Sequence, residues 1–339
     1  PDGSKIVFGD SEARIFVVDS DGRNRRQVAD DPGFPQHDYS WSPDSRWLAY
    51  SMEDPNGYRS LHIWDSESGN SRRITDEMFS EYNPVFAPGG GQLYFLSDRM
   101  FAPQIDLLEW NYANNRRTGV YAMLLTASAG NPFAPRNLEG LPDKDKEDDN
   151  GKKKDTDAPK VDIDFDGLAT RVARAPIDFG NLGGLSATEE HLLFVGAPAF
   201  FYGRDIEPGA QLRAYSLEDR EVFPITDKVT GYALAAASKQ VIVNQEGALN
   251  RFDIKKDEQE AKKADLDSLT ATRIRALEYE QIFDEVWRRF RDHFYVENMH
   301  GYDWVALRDR YRPLLEHVAH RADLNYLIGE MISELNVGH

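Results

Sequence analysis

The sequence closes on Ser333-Glu334-Leu335-Asn336-Val337-Gly338-His339, an apolar helical pattern that runs into a glycine and a histidine. Imidazole ionises near neutrality, so His339 is the residue that could take a proton from a nucleophilic hydroxyl. Alone, one terminal histidine does not establish catalysis. There is no cysteine, which removes disulfides, thiolate nucleophiles and thiolate metal sites together. His317 and His320 stand near Glu316, but no third ligand is identifiable, and the group reads as a solvated helix face rather than a metal site. His293 and His300 flank the stretch 295–299 and read as packing or capping residues. The pairs Arg25-Arg26, Arg72-Arg73 and Arg116-Arg117 could anchor a peptide carboxylate. Their recurrence at three turns speaks for a repeated local grammar instead, and none is assigned. No nucleophile elbow, phosphate loop or dinucleotide fingerprint occurs, and no cofactor or metal is implied.

Forty basic against 58 acidic residues give a formal charge of −18. A surface of that sign repels phosphate backbones, so nucleic acid is not an expected partner. No apolar run approaches the roughly 18 residues a membrane-spanning helix needs. The opening Pro1-Asp2-Gly3-Ser4-Lys5 is not a signal peptide and lacks an initiator Met, so the start reads as truncated. With 339 residues, 40% of them apolar, the chain can hold two domains and a substantial core.

Any site must be carried by the elements around it, and the first organising feature is a repeat. "PDGSKIVFGD" begins at Pro1, "SPDSRWLAYS" has Pro43 and "APGGGQLYFLSD" has Pro88, a spacing near the period of about 40–45 residues of a four-stranded propeller blade. Proline fixes the first corner of each turn, Asp or Gly supplies the second, and an alternating strand follows. A second hairpin then recurs, with Asp21-Gly22 in one unit and Gly69 in another. Weaker copies follow at 186–197, where Thr188-Glu189-Glu190 replaces the proline turn, and in the strands of "QLRAYSLEDREVFPIT" and "ALNRFDI". The reading is a mostly β fold: a partial β-propeller over 1–254, with five or six partial blades. The charged stretch 142–160 reads as a solvated, mobile insert. After it, Val161, Ile163 and Phe165 resume strand-like alternation.

A charged linker is expected over 255–273. Beyond it the apolar period changes from 2 to 3.6, which predicts a small α-helical segment over 274–339. Ile282, Phe283, Val286, Trp287, Phe290 and Phe294 form the stripe of a first helix, with Asp284–Arg288 and Glu285–Arg289 as i,i+4 pairs on its outer face. A second helix starts at Asp303 as N-cap and breaks at Pro313. A third starts at Asp323 as N-cap, with Leu324, Leu327, Ile328, Met331, Ile332 and Leu335 along one face.

At the C-terminal end these residues resemble the tricorn proteases, of the serine peptidase superfamily that includes the carboxyl-terminal processing proteases. The motifs that carry the resemblance are "FxxxNMHGxDW" from Phe294 to Trp304, "RYRPLL" (310–315), "DLNYLIGEM" (323–331) and "ELNVGH" (334–339). "DFDGLATRV" (164–172) after an acidic insert is similar to the propeller that precedes that catalytic core. The resemblance implies a cytoplasmic serine-type peptidase acting on oligopeptides, assembled as a homo-oligomer, with the propeller as substrate passage. It also implies that 274–339 opens the peptidase core and that His339 is the general base, with the serine and oxyanion hole in a later segment. Some relatives carry a serine that orients the histidine where this chain has Gly338, so that role falls to another group or to water. Two other readings stay open: a prolyl-oligopeptidase-like propeller hydrolase, and a non-enzymatic propeller that binds proteins.

Overall fold

The computed structural model describes residues 1–30, 38–105, 110, 112–135, 158–199, 209–235, 239–266 and 268–337. Contacts divide the chain into two compact units, Pro1–Ala264 and Asp265–His339.

The first unit is a succession of antiparallel sheets. β1 (Lys5–Gly9), β2 (Arg14–Asp19) and β3 (Arg26–Asp30) form the first, in that order. β4 (Tyr39–Trp41), β5 (Trp47–Glu53), β6 (Arg59–Asp65) and β7 (Ser71–Arg73) form the second. The third consists of β8 (Glu81–Phe86), β9 (Gln92–Asp98), β12 (Thr118–Leu124) and β13 (Val172–Arg174), with a small hairpin of β10 (Gln104–Ile105) and β11 (Tyr112–Ala113) between β9 and β12. The fourth runs β14 (Asn181–Ala187), β15 (His191–Ala197), β16 (Gln211–Ser216), β17 (Val222–Thr226). The fifth runs β18 (Val229–Leu234), β19 (Gln240–Gln245), β20 (Ala248–Asp253), β21 (Lys262–Lys263). These are the meandering blades of a β-propeller, five among the described residues. β21 falls in the stretch read as a linker and pairs with β20.

The turn before the second strand of each blade shows why the repeat takes this form. Ser42 N–H donates to the Trp47 carbonyl at 2.8 Å, and its hydroxyl accepts the Trp47 N–H at 2.8 Å. Thr188 stands in the corresponding place in the fourth blade, its hydroxyl accepting the His191 N–H at 2.8 Å. A hydroxyl that closes the turn is therefore an alternative to the proline that presets it.

Strand alternation then sends one face of each blade to each neighbour. Ile15, Val17, Leu48, Tyr50 and Trp64 fill the first interface. Leu61, Ile63, Leu93 and Phe95 are central to the second, Leu96, Leu192, Phe194 and Tyr215 to the third, and Leu212, Val241 and Val243 to the fourth. Each fully buried Leu, Ile or Phe contributes about 1.5–3 kcal/mol by leaving water.

Val161, Ile163 and Phe165 do not form a strand. The chain there is irregular, followed by a 3-10 turn at Leu168–Thr170. It lies in the interface between the second and third blades, where Val161 and Leu168 are buried and Ile163 and Phe165 pack alongside. Two long-range bonds hold it: the Trp47 indole N–H donates to the Val161 carbonyl at 3.0 Å, and the Val161 N–H donates to Asp44 Oδ2 at 2.8 Å. Alternation here marks a wedge that buries every second residue without a partner strand. Most of the acidic insert lies outside the described residues.

Inner strands of neighbouring blades are tied by a chain of side-chain to main-chain bonds. The Asn83 N–H donates to Asp38 Oδ2 at 3.0 Å, and Asn83 Oδ1 accepts the Leu185 N–H at 2.7 Å. Further along, the Tyr232 hydroxyl donates to the Gly184 carbonyl at 2.5 Å. Burial pushes the Tyr232 pKa up to about 12, which keeps it a donor. Register shifts interrupt β8 after Tyr82 and β14 after Gly183, and Asn83 (φ 52°) and Gly184 (φ 59°) take the left-handed conformation there. Such bulges turn main-chain groups out of the ladder, and here they serve the adjacent blade.

The second unit holds α1 (Arg275–His293), α2 (Trp304–Tyr311) and α3 (Arg321–Ser333).

Candidate functional site

The helical segment is built around α1, whose Phe283 and Trp287 are buried with Trp304, Leu307, Leu324, Met331 and Leu335. Ile282, Val286, Phe290 and Phe294 of the predicted stripe pack against this core at partial burial. At its centre two indoles are reciprocal: Trp287 Nε1–H donates to the Trp304 carbonyl at 2.8 Å, and Trp304 Nε1–H to the Trp287 carbonyl at 2.9 Å. Buried indole N–H groups need such partners. The guanidinium groups of Arg308 and Arg291 stack on Trp287 at 4.6 and 5.1 Å.

The start of α2 is as the sequence predicts, with the Asp303 carboxylate accepting the Ala306 N–H at 2.9 Å. Pro313 ends α2 by converting the chain to a 3-10 turn over Arg312–His317. The start of α3 differs. Its N-cap is His320, and Asp323 is the third residue of a capping box that returns a bond to the His320 N–H at 3.2 Å. The box satisfies two free amides instead of one. The outer face of α1 also differs. Glu285 pairs with Arg289 at 3.2 Å but also with Arg288 at 2.7 Å, while Asp284 takes Arg312 at 3.2 Å. The Arg288 bond leads in holding the Glu285 carboxyl below its ordinary pKa.

The C-terminal end of α3 carries the catalytic candidate. Leu335 is 1% exposed in the core. The Glu334 carboxylate accepts from the Tyr311 hydroxyl at 2.8 Å and from Arg310 at 3.2 Å. Asn336 follows with φ 47°, the left-handed exit common after a helix and tolerated by Asn. His339, with Gly338, lies outside the described residues. Sequence reasoning did not find the tie from Glu334 to α2. Its signal is the tyrosine in "RYRPLL", a polar tip on an otherwise apolar helix face.

The remaining candidates fall away. His317 pairs with Glu316 at 3.2 Å with both side chains in solvent. Among the described residues no cluster of three or more His, Asp or Glu could hold a metal ion. His300, left-handed at φ 54°, meets the Tyr295 hydroxyl at 2.6 Å. A cavity of about 460 Å³ between α1 and the 3-10 turn is lined by Arg275, Tyr279, Glu280, Arg312, Leu315 and Glu316 among others, with no serine or histidine, so it offers no acyl-transfer chemistry. Four arginines of the three pairs are engaged within the blades. Arg73 bonds Asp54 at 2.7 Å and Arg117 bonds Asp98 at 2.9 Å, while Arg72 stacks on Phe165 and Arg25 on Phe16. No helix among the described residues is long and apolar enough to cross a membrane.

Comparison with known proteins agrees with both units. The family model described as the tricorn protease second beta propeller domain matches residues 1–255, and that of the tricorn protease C1 domain matches 275–333. The chain belongs to the tricorn protease family. Tricorn protease homolog 1 of Streptomyces coelicolor is 28% identical, aligned over 100% of this chain and 33% of its own length. The tricorn protease of Thermoplasma volcanium is 23% identical over 100% of this chain and 32% of its own. A crystal structure of the tricorn protease superposes with a TM-score of 0.81 at 21% identity, covering 99% of this chain and 32% of that one. The chain thus spans about a third of the length of these tricorn relatives. These relatives are proteases by name.

Proposed function

We propose that this chain is part of a serine-type peptidase that hydrolyses oligopeptides, with His339 as the general base. The observation that carries the reading is the succession, in one polypeptide, of a tricorn propeller and a C1 segment whose match stops six residues short of His339. An acyl-transfer base must sit within about 3 Å of the hydroxyl it activates and titrate near neutrality. A histidine just past a well-anchored helix suits that demand. The serine and the oxyanion donors would come from other parts of the whole polypeptide. The propeller would act as a passage for extended peptides, in a homo-oligomeric assembly.

The test is hydrolysis of fluorogenic oligopeptides by the whole polypeptide, with and without His339→Ala. Loss of at least about 10³-fold in kcat is expected, together with loss of fluorophosphonate labelling. Activity that survives in the variant refutes the assignment. Residues 1–339 alone are expected to be inactive.

A further inference from the structure

We propose that Tyr311, Glu334 and Asn336 are positioning residues for the reaction: a clamp that fixes the direction in which the chain leaves α3 toward His339. The inference rests on the proposed general-base role of His339.

Three features converge on this short exit. The last turn tightens, with the Leu335 N–H donating to the Ile332 carbonyl at 3.1 Å and the Asn336 N–H to the Ser333 carbonyl at 3.0 Å. Leu335 is buried at 1% exposure while its neighbours Ser333 and Asn336 are exposed, so the core holds one residue of the exit. Glu334, beside it, is tied to α2 by the Tyr311 hydroxyl at 2.8 Å and Arg310 at 3.2 Å. Desolvation leads in raising the Tyr311 pKa and the Glu334 carboxylate adds to it, so the hydroxyl remains a donor. Two adjacent residues are thus held on different sides of the chain, and Asn336, left-handed at φ 47°, sets the next direction.

The lever explains why this matters. His339 follows Asn336 by three chain steps, a reach of at most about 10 Å. A 20° change at Asn336 would sweep the far end of such an arm by roughly 3 Å, as large as the whole distance a base may stand from its partner. A misplacement of about 1 Å already costs on the order of 10²-fold. Such a clamp would do work that an orienting serine, absent at Gly338, cannot do here.

The test uses the whole polypeptide and compares Glu334→Ala, Glu334→Gln, Tyr311→Phe, Asn336→Val and Asn336→Gly with His339→Ala. Glu334→Gln keeps an oxygen for Tyr311, and Asn336→Gly keeps the left-handed turn. Expected is a kcat lowered about 10- to 100-fold at KM within twofold for Glu334→Ala and Asn336→Val. Tyr311→Phe falls in the same direction, while the Gln and Gly variants stay near the parent. Hydrogen exchange across 321–335 is expected to stay at parent levels, separating aim from folding. Unchanged kcat in Glu334→Ala and Asn336→Val overturns the clamp, as does a loss that follows reduced exchange protection. If His339→Ala is inactive while Glu334→Ala is fully active, only the clamp falls. If His339→Ala is active, the general-base reading falls, whatever the other variants do.

Discussion

Asn83 offers a direct trial of how the blades are joined. Its side chain holds Leu185 through a 2.7 Å bond from the Leu185 N–H and a 3.3 Å bond to the Leu185 carbonyl, while its own N–H reaches Asp38. Asn83→Ala deletes both side-chain bonds and leaves the amide of Leu185, itself 3% exposed, without its partner. A stranded buried donor costs about 1–3 kcal/mol. Alanine at φ 52° adds about 1 kcal/mol of left-handed strain. The sum is roughly 3 kcal/mol. Asn83→Gly accepts that φ but enlarges the unfolded ensemble by a comparable amount, so the two variants should agree to within about 1 kcal/mol. The assay is hydrogen exchange of a peptide spanning 181–187. A loss of about 3 kcal/mol at Leu185 accelerates exchange roughly 150-fold where local opening governs it. If Asn83→Gly changes protection by less than about 0.5 kcal/mol, the inter-blade tie is not stabilising and the reasoning fails.

Two further outcomes follow from the buried Trp304 and the half-buried His191. Trp304→Phe removes one of the two reciprocal indole bonds and part of a buried ring, which should cost about 2 kcal/mol; exchange protection should fall across 275–335 and remain unchanged in the five sheets. His191, against Phe223 with ring centroids 5.8 Å apart, has its pKa lowered from 6.5 mainly by desolvation. The unfolded chain therefore takes up that proton first, and stability should decline as pH falls from about 6.5 toward the lowered folded value. Urea midpoints measured at pH 7 and 5 should differ less in His191→Gln than in the parent, and equal differences would rule His191 out as a source of the slope.

The repeat was legible because a blade is written in local signals: Pro43 and Pro88 at turn corners, then alternating strands. Even the turn at Thr188 kept the hydroxyl needed to close it. The wedge at 161–165 has the sequence pattern of a strand because alternation reports burial of every second residue, and a groove between two blades satisfies that as well as a ladder does. The bulges had a signal, since Asn83-Pro84 and Gly183-Gly184 are breaker pairs inside strand patterns. In the helical unit, Asp323 reads as a cap from its type alone, whereas the capping box needs it three residues in. Asp284 left its helical neighbour because Arg312, 28 residues away in sequence, approaches the same face. His339 stood out only through the motifs around it, because a lone histidine carries no geometry of its own.

The two units are fastened by different physics. Blade ties run from side chains to main-chain groups at fixed bulges, and such bonds respond little to salt. The outer ties of the helical unit are ion pairs between side chains; Arg312 and Asp284 are 43% and 25% exposed, a setting in which a pair is worth at most about 1 kcal/mol. Its stability must therefore come from the Phe283, Trp287, Trp304, Leu324 and Met331 core, all 0–6% exposed. Glu334 is the exception among the charged groups. It is bonded to a hydroxyl as well as a guanidinium, and it is joined in sequence to the buried Leu335. A surface pair can break without moving the backbone. A bond beside a buried anchor restrains the chain's exit from α3, and that restraint is the basis of the proposed clamp.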